Sequence, residues 1–308
     1  MVKVGNSGKT LSEHPELRTK DLKEAFENKD VNAIICAIGG EDTYRTLPYL
    51  MEDQEFKELV AKHPKVFTGF SDSTINHLMF YRLGMSSYYG HNVLCDFAEL
   101  DKAMLPYTEN SYKWLFDNKN APIIISSDTW YEERNDFSEK SLNTSRISHK
   151  DTKGFEPLTI NKDFEGELWG GCIESLYDVL TGYRHADAKE ICSKYNLLLN
   201  KDEFKGKILF LETSENKIEP EVLKLMLTVF KENGFFNNIS GLIVGKPQNE
   251  AYYEEYKNIY KTVIDENIPV IYNINFGHGY PRTILAYGQV LKYDSAKKIF
   301  TYKEPIVK

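Results

Sequence analysis

The feature that most constrains this chain is a set of short, wholly apolar runs, each stopped by glycine or by a charged residue. Ala33-Ile34-Ile35-Cys36-Ala37-Ile38 is closed by Gly39-Gly40, and Ile208-Leu209-Phe210-Leu211 is closed by Glu212. Runs this short, without polar alternation, describe strands covered on both faces, as in a parallel sheet. Residues 66–70, 121–126, 240–245 and 269–272 read as further strands. Amphipathic stretches alternate with them: residues 19–28 carry Leu22, Ala25 and Phe26 on one face, and residues 74–83, 172–181, 220–233 and 252–266 follow the helical period. Pro220 stands at the first turn of its stretch, where a missing N–H costs nothing. Residues 283–293 and 298–302 read as a terminal hairpin turned at Asp294-Ser295. The pattern predicts an α/β protein.

Residues 129–165 differ: they are polar, rich in Glu, Asn, Ser and Lys, and lack a sustained period. They read as a long connection, of the kind that carries function in compact proteins. The break predicts two domains, residues 1–128 and 170–308, with 129–169 as the connecting segment and active-site loop. A chain of 308 residues with 41% hydrophobic residues has ample material for a core. Its net charge of -8 and the lack of a basic stripe argue against nucleic acid as a partner. No apolar run approaches the roughly 20 residues needed to span a bilayer, and the first residues lack a signal-like apolar core, so the expected location is the cytoplasm, away from membranes. Cys36, Cys95, Cys172 and Cys192 are scattered, which predicts reduced thiols and no structural metal. Gly5-Asn6-Ser7-Gly8-Lys9-Thr10 resembles the end of a phosphate-binding loop, but Lys3 stands where the leading glycine belongs and too few residues precede it to make a strand.

Gly69-Phe70-Ser71-Asp72 joins a predicted strand to a predicted helix. A serine at such an apex exposes its hydroxyl, while the following N–H groups face whatever it attacks. Gly69 supplies the small first position of G-x-S-x-G, whereas Ser73 occupies the second. Serine is also a preferred N-cap, so the local pattern leaves both roles open. A nucleophilic serine needs a base and an orienting carboxylate. Of the seven histidines, His14, His63 and His149 lie in polar stretches, His77 falls on a helix face, and His91 and His185 show no partner. His278 stands apart in the glycine-flanked loop Phe276-Gly277-His278-Gly279-Tyr280-Pro281-Arg282. Glu212, at the carboxyl end of its strand, faces the edge where α/β proteins build sites, although a solvent-facing or capping glutamate fits the same position.

Gly69-Phe70-Ser71-Asp72, Leu211-Glu212-Thr213 and Gly277-His278, in that order, resemble the LD-carboxypeptidase family of serine peptidases. Ile38-Gly39-Gly40-Glu41-Asp42-Thr43-Tyr44-Arg45, Leu47-Pro48-Tyr49-Leu50, Tyr89-Gly90 and Gly170-Gly171-Cys172 extend the likeness from about Asp21 onward. The resemblance implies a Rossmann-like parallel-sheet domain carrying Ser71, and a C-terminal α/β domain with a swivelling-barrel-like sheet carrying Glu212 and His278. It implies Ser71 as nucleophile, His278 as base, Glu212 as its partner, and an oxyanion hole from the N–H groups of Gly40 and Asp72. It implies a homodimer and no metal or organic cofactor. Two substrate branches belong to the family: the peptidyl-nucleotide linkage of microcin C-like antibiotics, and the LD-bond of murein tetrapeptides. Trp130 resembles the nucleobase-stacking tryptophan of the first branch, which is the one favoured, although it could equally anchor its loop. Arg282 could meet a carboxylate or phosphate, or form an ion pair. The family also begins with a strand, a helix and a Pro-Ser loop ahead of the segment equivalent to Met1-Val2-Lys3-Val4, and this sequence starts later. A non-catalytic ligand-binding homologue is therefore the reading from another class. Ala286 stands where the family has proline.

Overall fold

The computed structural model describes residues 8–307, so the segment Met1-Val2-Lys3-Val4 and residues Gly5 to Ser7 lie outside it. Each apolar run contributes a strand, over its full length at 208–212 and over only part of it at 33–38 and 121–126. In chain order the strands are β1 (Ala33–Ile35), β2 (Val66–Gly69), β3 (Tyr88–Tyr89), β4 (Ile123–Ile124), β5 (Thr129–Tyr131), β6 (Ser148–Lys150) and β7 (Glu156–Pro157). They continue with β8 (Phe164–Cys172), β9 (Ile208–Glu212), β10 (Gly241–Gly245), β11 (Val270–Ile274), β12 (Leu285–Ala286), β13 (Val290–Asp294) and β14 (Ile299–Tyr302). The helices are α1 (Gly8–Glu13), α2 (Pro15–Glu27), α3 (Leu47–Met51), α4 (Gln54–Lys62), α5 (Thr74–Arg82), α6 (Pro106–Lys113), α7 (Ile173–Thr181), α8 (Ala188–Lys194), α9 (Pro220–Glu232) and α10 (Tyr253–Val263).

Two sheets carry the α/β architecture. The smaller has the order β1-β2-β3-β12, parallel through β3 and closed by antiparallel β12. The larger has the order β4-β14-β13-β8-β9-β10-β11-β7, with a parallel centre from β8 to β11 and antiparallel flanks. A hairpin, β5-β6, stands apart. Helix α9 shows how the sequence pattern becomes packing: Leu223, Met226, Leu227 and Phe230 recur on one face, and all four are buried. Burying each such side chain stabilises the fold by roughly 1.5–3 kcal/mol.

The two sheets meet beside the glycine pair of β8. A Cβ on Gly171 would lie 2.5 Å from Thr74 Cγ2, at the start of α5, and one on Gly170 would lie 1.9 Å from Phe210 O. Only glycine permits this approach, and Thr74 Oγ1 completes it by accepting the Cys172 N–H at 3.1 Å.

Three expectations need correction. The run from Ala33 leaves the ladder after Ile35, and the rest becomes a loop carrying Gly39 and Gly40. The segment 129–165 is not structureless: it holds β5, β6 and β7, strands of two or three residues and too short to show a period. The predicted strand 283–293 is broken at Gly288, where φ is +75°; β12 joins the small sheet and β13 the large one. Among the described residues all four cysteines are free, and no helix is long and apolar enough to cross a membrane.

Candidate active site

Ser71 sits where β2 turns into the short 3-10 turn Ser71–Ser73 and then α5. Its φ is +64°, a left-handed conformation that costs a non-glycine residue on the order of 1–3 kcal/mol and survives only where the surroundings enforce it. Those surroundings are glycines. A Cβ on Gly39 would lie 2.7 Å from Ser71 Cβ and 2.9 Å from its Oγ, and one on Gly69 would lie 2.7 Å from Cys36 Sγ. The N-cap of α5 is Ser73 and not Ser71, and it makes no side-chain cap bond. The capping role left open for Ser71 is therefore not the one it plays.

The loop after β1 is pinned to this turn by Asp72, whose buried Oδ2 accepts the Thr43 N–H at 2.8 Å. Burial raises the Asp72 carboxyl above its ordinary value. Gly40 lies against the same carboxylate, since a Cβ there would be 3.8 Å from Asp72 Oδ2. Gly39, Gly40, Ser71 and Asp72 are thus brought together by two strand ends far apart in sequence.

Glu212 ends β9 and is only 1% exposed. Its Oε2 accepts His278 Nδ1 at 2.7 Å and the His278 backbone N–H at 3.2 Å. Its Oε1 accepts the Tyr89 hydroxyl at 2.5 Å, and that hydroxyl in turn accepts the Ser71 backbone N–H at 3.1 Å. One tyrosine therefore ties the serine turn of the small sheet to the carboxylate of the large one. Gly277, with φ +80°, is the reason His278 comes so close: a Cβ there would sit 2.4 Å from Glu212 Cδ.

The His278 ring stands edge-on to Phe70, with centroids 4.9 Å apart. Among the described residues no hydrogen bond joins it to Ser71 Oγ. Instead Nε2 lies 2.9 Å from Glu215 Oε2. Burial opposes a charge on this imidazole, but the carboxylates of Glu212 and Glu215 outweigh it and raise its pKa to about 10. The bond from His278 draws Glu215 down to about 2. Cys172 Sγ lies within 4.8 Å of both Glu212 and His278, which makes three metal-binding types of side chain. Glu212 and His278 are bonded to each other, and burial holds the Cys172 thiol far above its ordinary pKa while it donates to Glu174 Oε2 at 3.2 Å. This donor set is arranged for proton traffic more than for a cation.

Trp130 lies on β5, half-buried, stacked on His149 of β6 at 4.2 Å. The hairpin reaches the His278 loop through the Tyr131 N–H, which bonds to Tyr280 O at 3.1 Å. Lys246, buried at the end of β10, points its Nζ toward the Trp130 ring from 5.6 Å while bonding Asp151, Glu250 and Asn273. Of the two roles open to Arg282, a ligand contact or an ion pair, the fold shows an ion pair, and a fully buried one rather than one at the surface. Its guanidinium meets Asp96 at 3.0 and 3.1 Å and lies between the rings of Phe70 and Tyr280, 4.4 and 4.1 Å from their centroids. Its charge holds the wall behind His278 and faces no solvent.

Sequence reasoning missed Tyr89 and Glu215 as members of the site. Tyr89-Gly90 was visible only as a motif without a role. Glu215 follows Glu212 by three residues, a spacing that leaves both within reach of one imidazole once the strand has ended.

Residues 2–90 match the LD-carboxypeptidase N-terminal domain, and residues 165–292 match the LD-carboxypeptidase C-terminal domain. An MccF-like protein from Streptococcus pneumoniae, solved in complex with AMP, is 44% identical and superposes with a TM-score of 0.91, over 96% of this chain and 85% of that one. The microcin C7 self-immunity protein MccF of Escherichia coli is 22% identical over 93% of this chain and 78% of its own. The probable murein peptide carboxypeptidase of Bacillus subtilis is 26% identical over 96% of this chain and 81% of its own. With both domains matched in order around these residues, the chain belongs to the LD-carboxypeptidase family of serine peptidases.

Proposed function

We propose that Ser71, His278 and Glu212 form the triad of a hydrolase that cleaves the amide-type bond of a peptidyl-nucleotide conjugate through an acyl-enzyme. The observation that carries this reading is the strained Ser71 turn, tied through Tyr89 to the same Glu212 that orients His278. Ser71 Oγ attacks the carbonyl carbon while His278 Nε2 takes its proton, and Glu212 holds Nδ1–H and so the productive tautomer. The N–H groups of Gly40 and Asp72 stabilise the oxyanion. His278 then returns the proton to the leaving nitrogen, and water, activated by the same nitrogen, hydrolyses the acyl-enzyme.

The nucleotide half of the proposal rests on Trp130. Its hairpin is bonded to the His278 loop, and a relative 44% identical was solved with AMP bound. Stacking of a base on such a ring contributes about 1–3 kcal/mol. A second reading, an LD-carboxypeptidase acting on murein tetrapeptides, is favoured by the 26% identity to the Bacillus subtilis relative. Purified protein and its Ser71→Ala variant, incubated with a microcin C-type conjugate and with a murein tetrapeptide, separate the two. Turnover of the conjugate by the wild type alone supports the first reading, and turnover of the tetrapeptide alone supports the second. Binding without turnover above the Ser71→Ala level on either substrate refutes both and favours a non-catalytic homologue. A homodimer is the assembly we propose, checked by light scattering.

A further inference from the structure

Glu215 stands where a triad needs an open position. Nδ1 of His278 is already held by Glu212 at 2.7 Å, and Glu215 Oε2 holds Nε2 at 2.9 Å. An imidazole bonded by carboxylates on both nitrogens carries both protons, so it cannot accept one from Ser71. The site as folded is latent, and something must remove Glu215 before the base can work.

The contact is built to be removed. The Glu215 side chain is 59% exposed, against 6% for His278. With most of its side chain in water, Glu215 remains open to competition from a second cation. The residue that follows it, Asn216, lines a cavity of about 280 Å³ together with Glu174, Glu219 and Arg184. Arg184, the cation in that lining, is placed near Asp178, with Nε 3.9 Å from Oδ2, while Glu174 and Glu219 accept the hydroxyls of Ser214 and Tyr252. Standard bond lengths put an α-amino nitrogen roughly 2.5 Å from the carbonyl carbon of its own residue, so in an aminoacyl substrate it is the first cation to arrive near Nε2.

We propose that Glu215 is a specificity-determining residue, selecting substrates with a free ammonium group on the acyl side of the scissile bond. The ammonium pairs with the Glu215 carboxylate and draws it from His278; the imidazolium releases its Nε2 proton to water, and the neutral nitrogen then takes the Ser71 hydroxyl proton. This rests on the Ser71-His278-Glu212 reading and narrows its substrate class to aminoacyl conjugates, as against peptides whose α-nitrogen is acylated.

The test uses an aminoacyl adenosine phosphoramidate with a free α-amine and its N-acetyl counterpart, with wild type and Glu215→Gln. Labelling of Ser71 by a neutral fluorophosphonate in the absence of substrate is the second readout. We expect the wild type to favour the free amine in kcat/KM by about tenfold or more, as a charge-assisted contact allows. Glu215→Gln should abolish most of that preference and label Ser71 faster than the wild type. Equal preference in the two proteins, or no gain in labelling, overturns the role of Glu215 while leaving the triad in place. Failure of the wild type both to label at Ser71 and to turn over either compound overturns the triad reading and this inference with it.

Discussion

Replacing Tyr89 by phenylalanine removes a single oxygen and isolates the link between the two halves of the site. The hydroxyl bonds Glu212 Oε1 at 2.5 Å and the Ser71 N–H at 3.1 Å, on a ring with no exposed surface. Phenylalanine keeps the ring contact with Phe210, now at 5.4 Å between centroids, so packing is preserved. Two polar groups lose a partner. A bond to a charged acceptor contributes about 1.5–3 kcal/mol, and stranding a buried donor costs about 1–3 kcal/mol. Glu212 keeps its two donors from His278, which places the expected destabilisation near the lower end, about 2–4 kcal/mol. Melting temperature falls by roughly 2–4 °C per kcal/mol in domains of 150–250 residues, so the variant should melt at least about 4 °C lower. Its Ser71 turn loses the tether that maintains the +64° backbone. Turnover should therefore drop by about tenfold to a hundredfold with KM little changed, the pattern of an interaction needed in the transition state. Calorimetry and steady-state kinetics supply the two readings. A melting temperature within about 1 °C of wild type together with unchanged turnover would refute the link.

Gly277→Ala forces a Cβ to within 2.4 Å of Glu212 Cγ and Cδ at a φ of +80°; beyond a backbone cost of about 1–2 kcal/mol it should displace the carboxylate and lower turnover more than tenfold, and wild-type turnover would count against the geometry. Lys246→Met leaves Asp151, 1% exposed, without its cation; urea unfolding should show a loss of about 3–5 kcal/mol, partly recovered by adding Asp151→Asn. Stability should peak near pH 6.5. Burial lowers His77 and His91 from 6.5 to about 4, so the unfolded chain binds protons that the folded one refuses, and stability falls as pH drops from 6.5 to 4. His278, raised from 6.5 to about 10, contributes fully below pH 6.5 and loses its contribution as pH rises toward 10. Melting curves across pH should show that His278→Gln flattens the alkaline limb and also removes the Glu215 part of the fall between pH 4.5 and 2; an unchanged alkaline limb would contradict the double carboxylate contact.

Much of this protein is legible residue by residue. Apolar runs ending at Glu212 and Gly245 become strands buried along their whole length, as their composition demands, whereas the run ending at Gly39 gives a three-residue edge strand with Ala33 exposed and Ile34 and Ile35 half-buried. Ser71, Glu212 and His278 stand out together through the family resemblance, whose motifs here fall near strand ends marked by glycine and charge. The strands of the segment 129–165 escaped notice because two or three residues cannot establish a period, and the break at Gly288 did so because its two sides serve different sheets.

Contacts across the two sheets were beyond any local pattern. Arg282 reads as a cation for a ligand or an ion pair until the fold sets Asp96 against it, 186 positions away in the chain, and Tyr89 reads as part of a motif without a role until its hydroxyl meets a carboxylate 123 positions on. Sequence alone determined the α/β class and the principal strands and helices, since these follow from local composition, and the family resemblance supplied the roles expected of Ser71, Glu212 and His278. Only the tertiary structure decided which of them meet. It brought Glu212 to His278, and it set Glu215 rather than Ser71 on Nε2, because the direction of a side chain at a strand end depends on what the other sheet leaves room for.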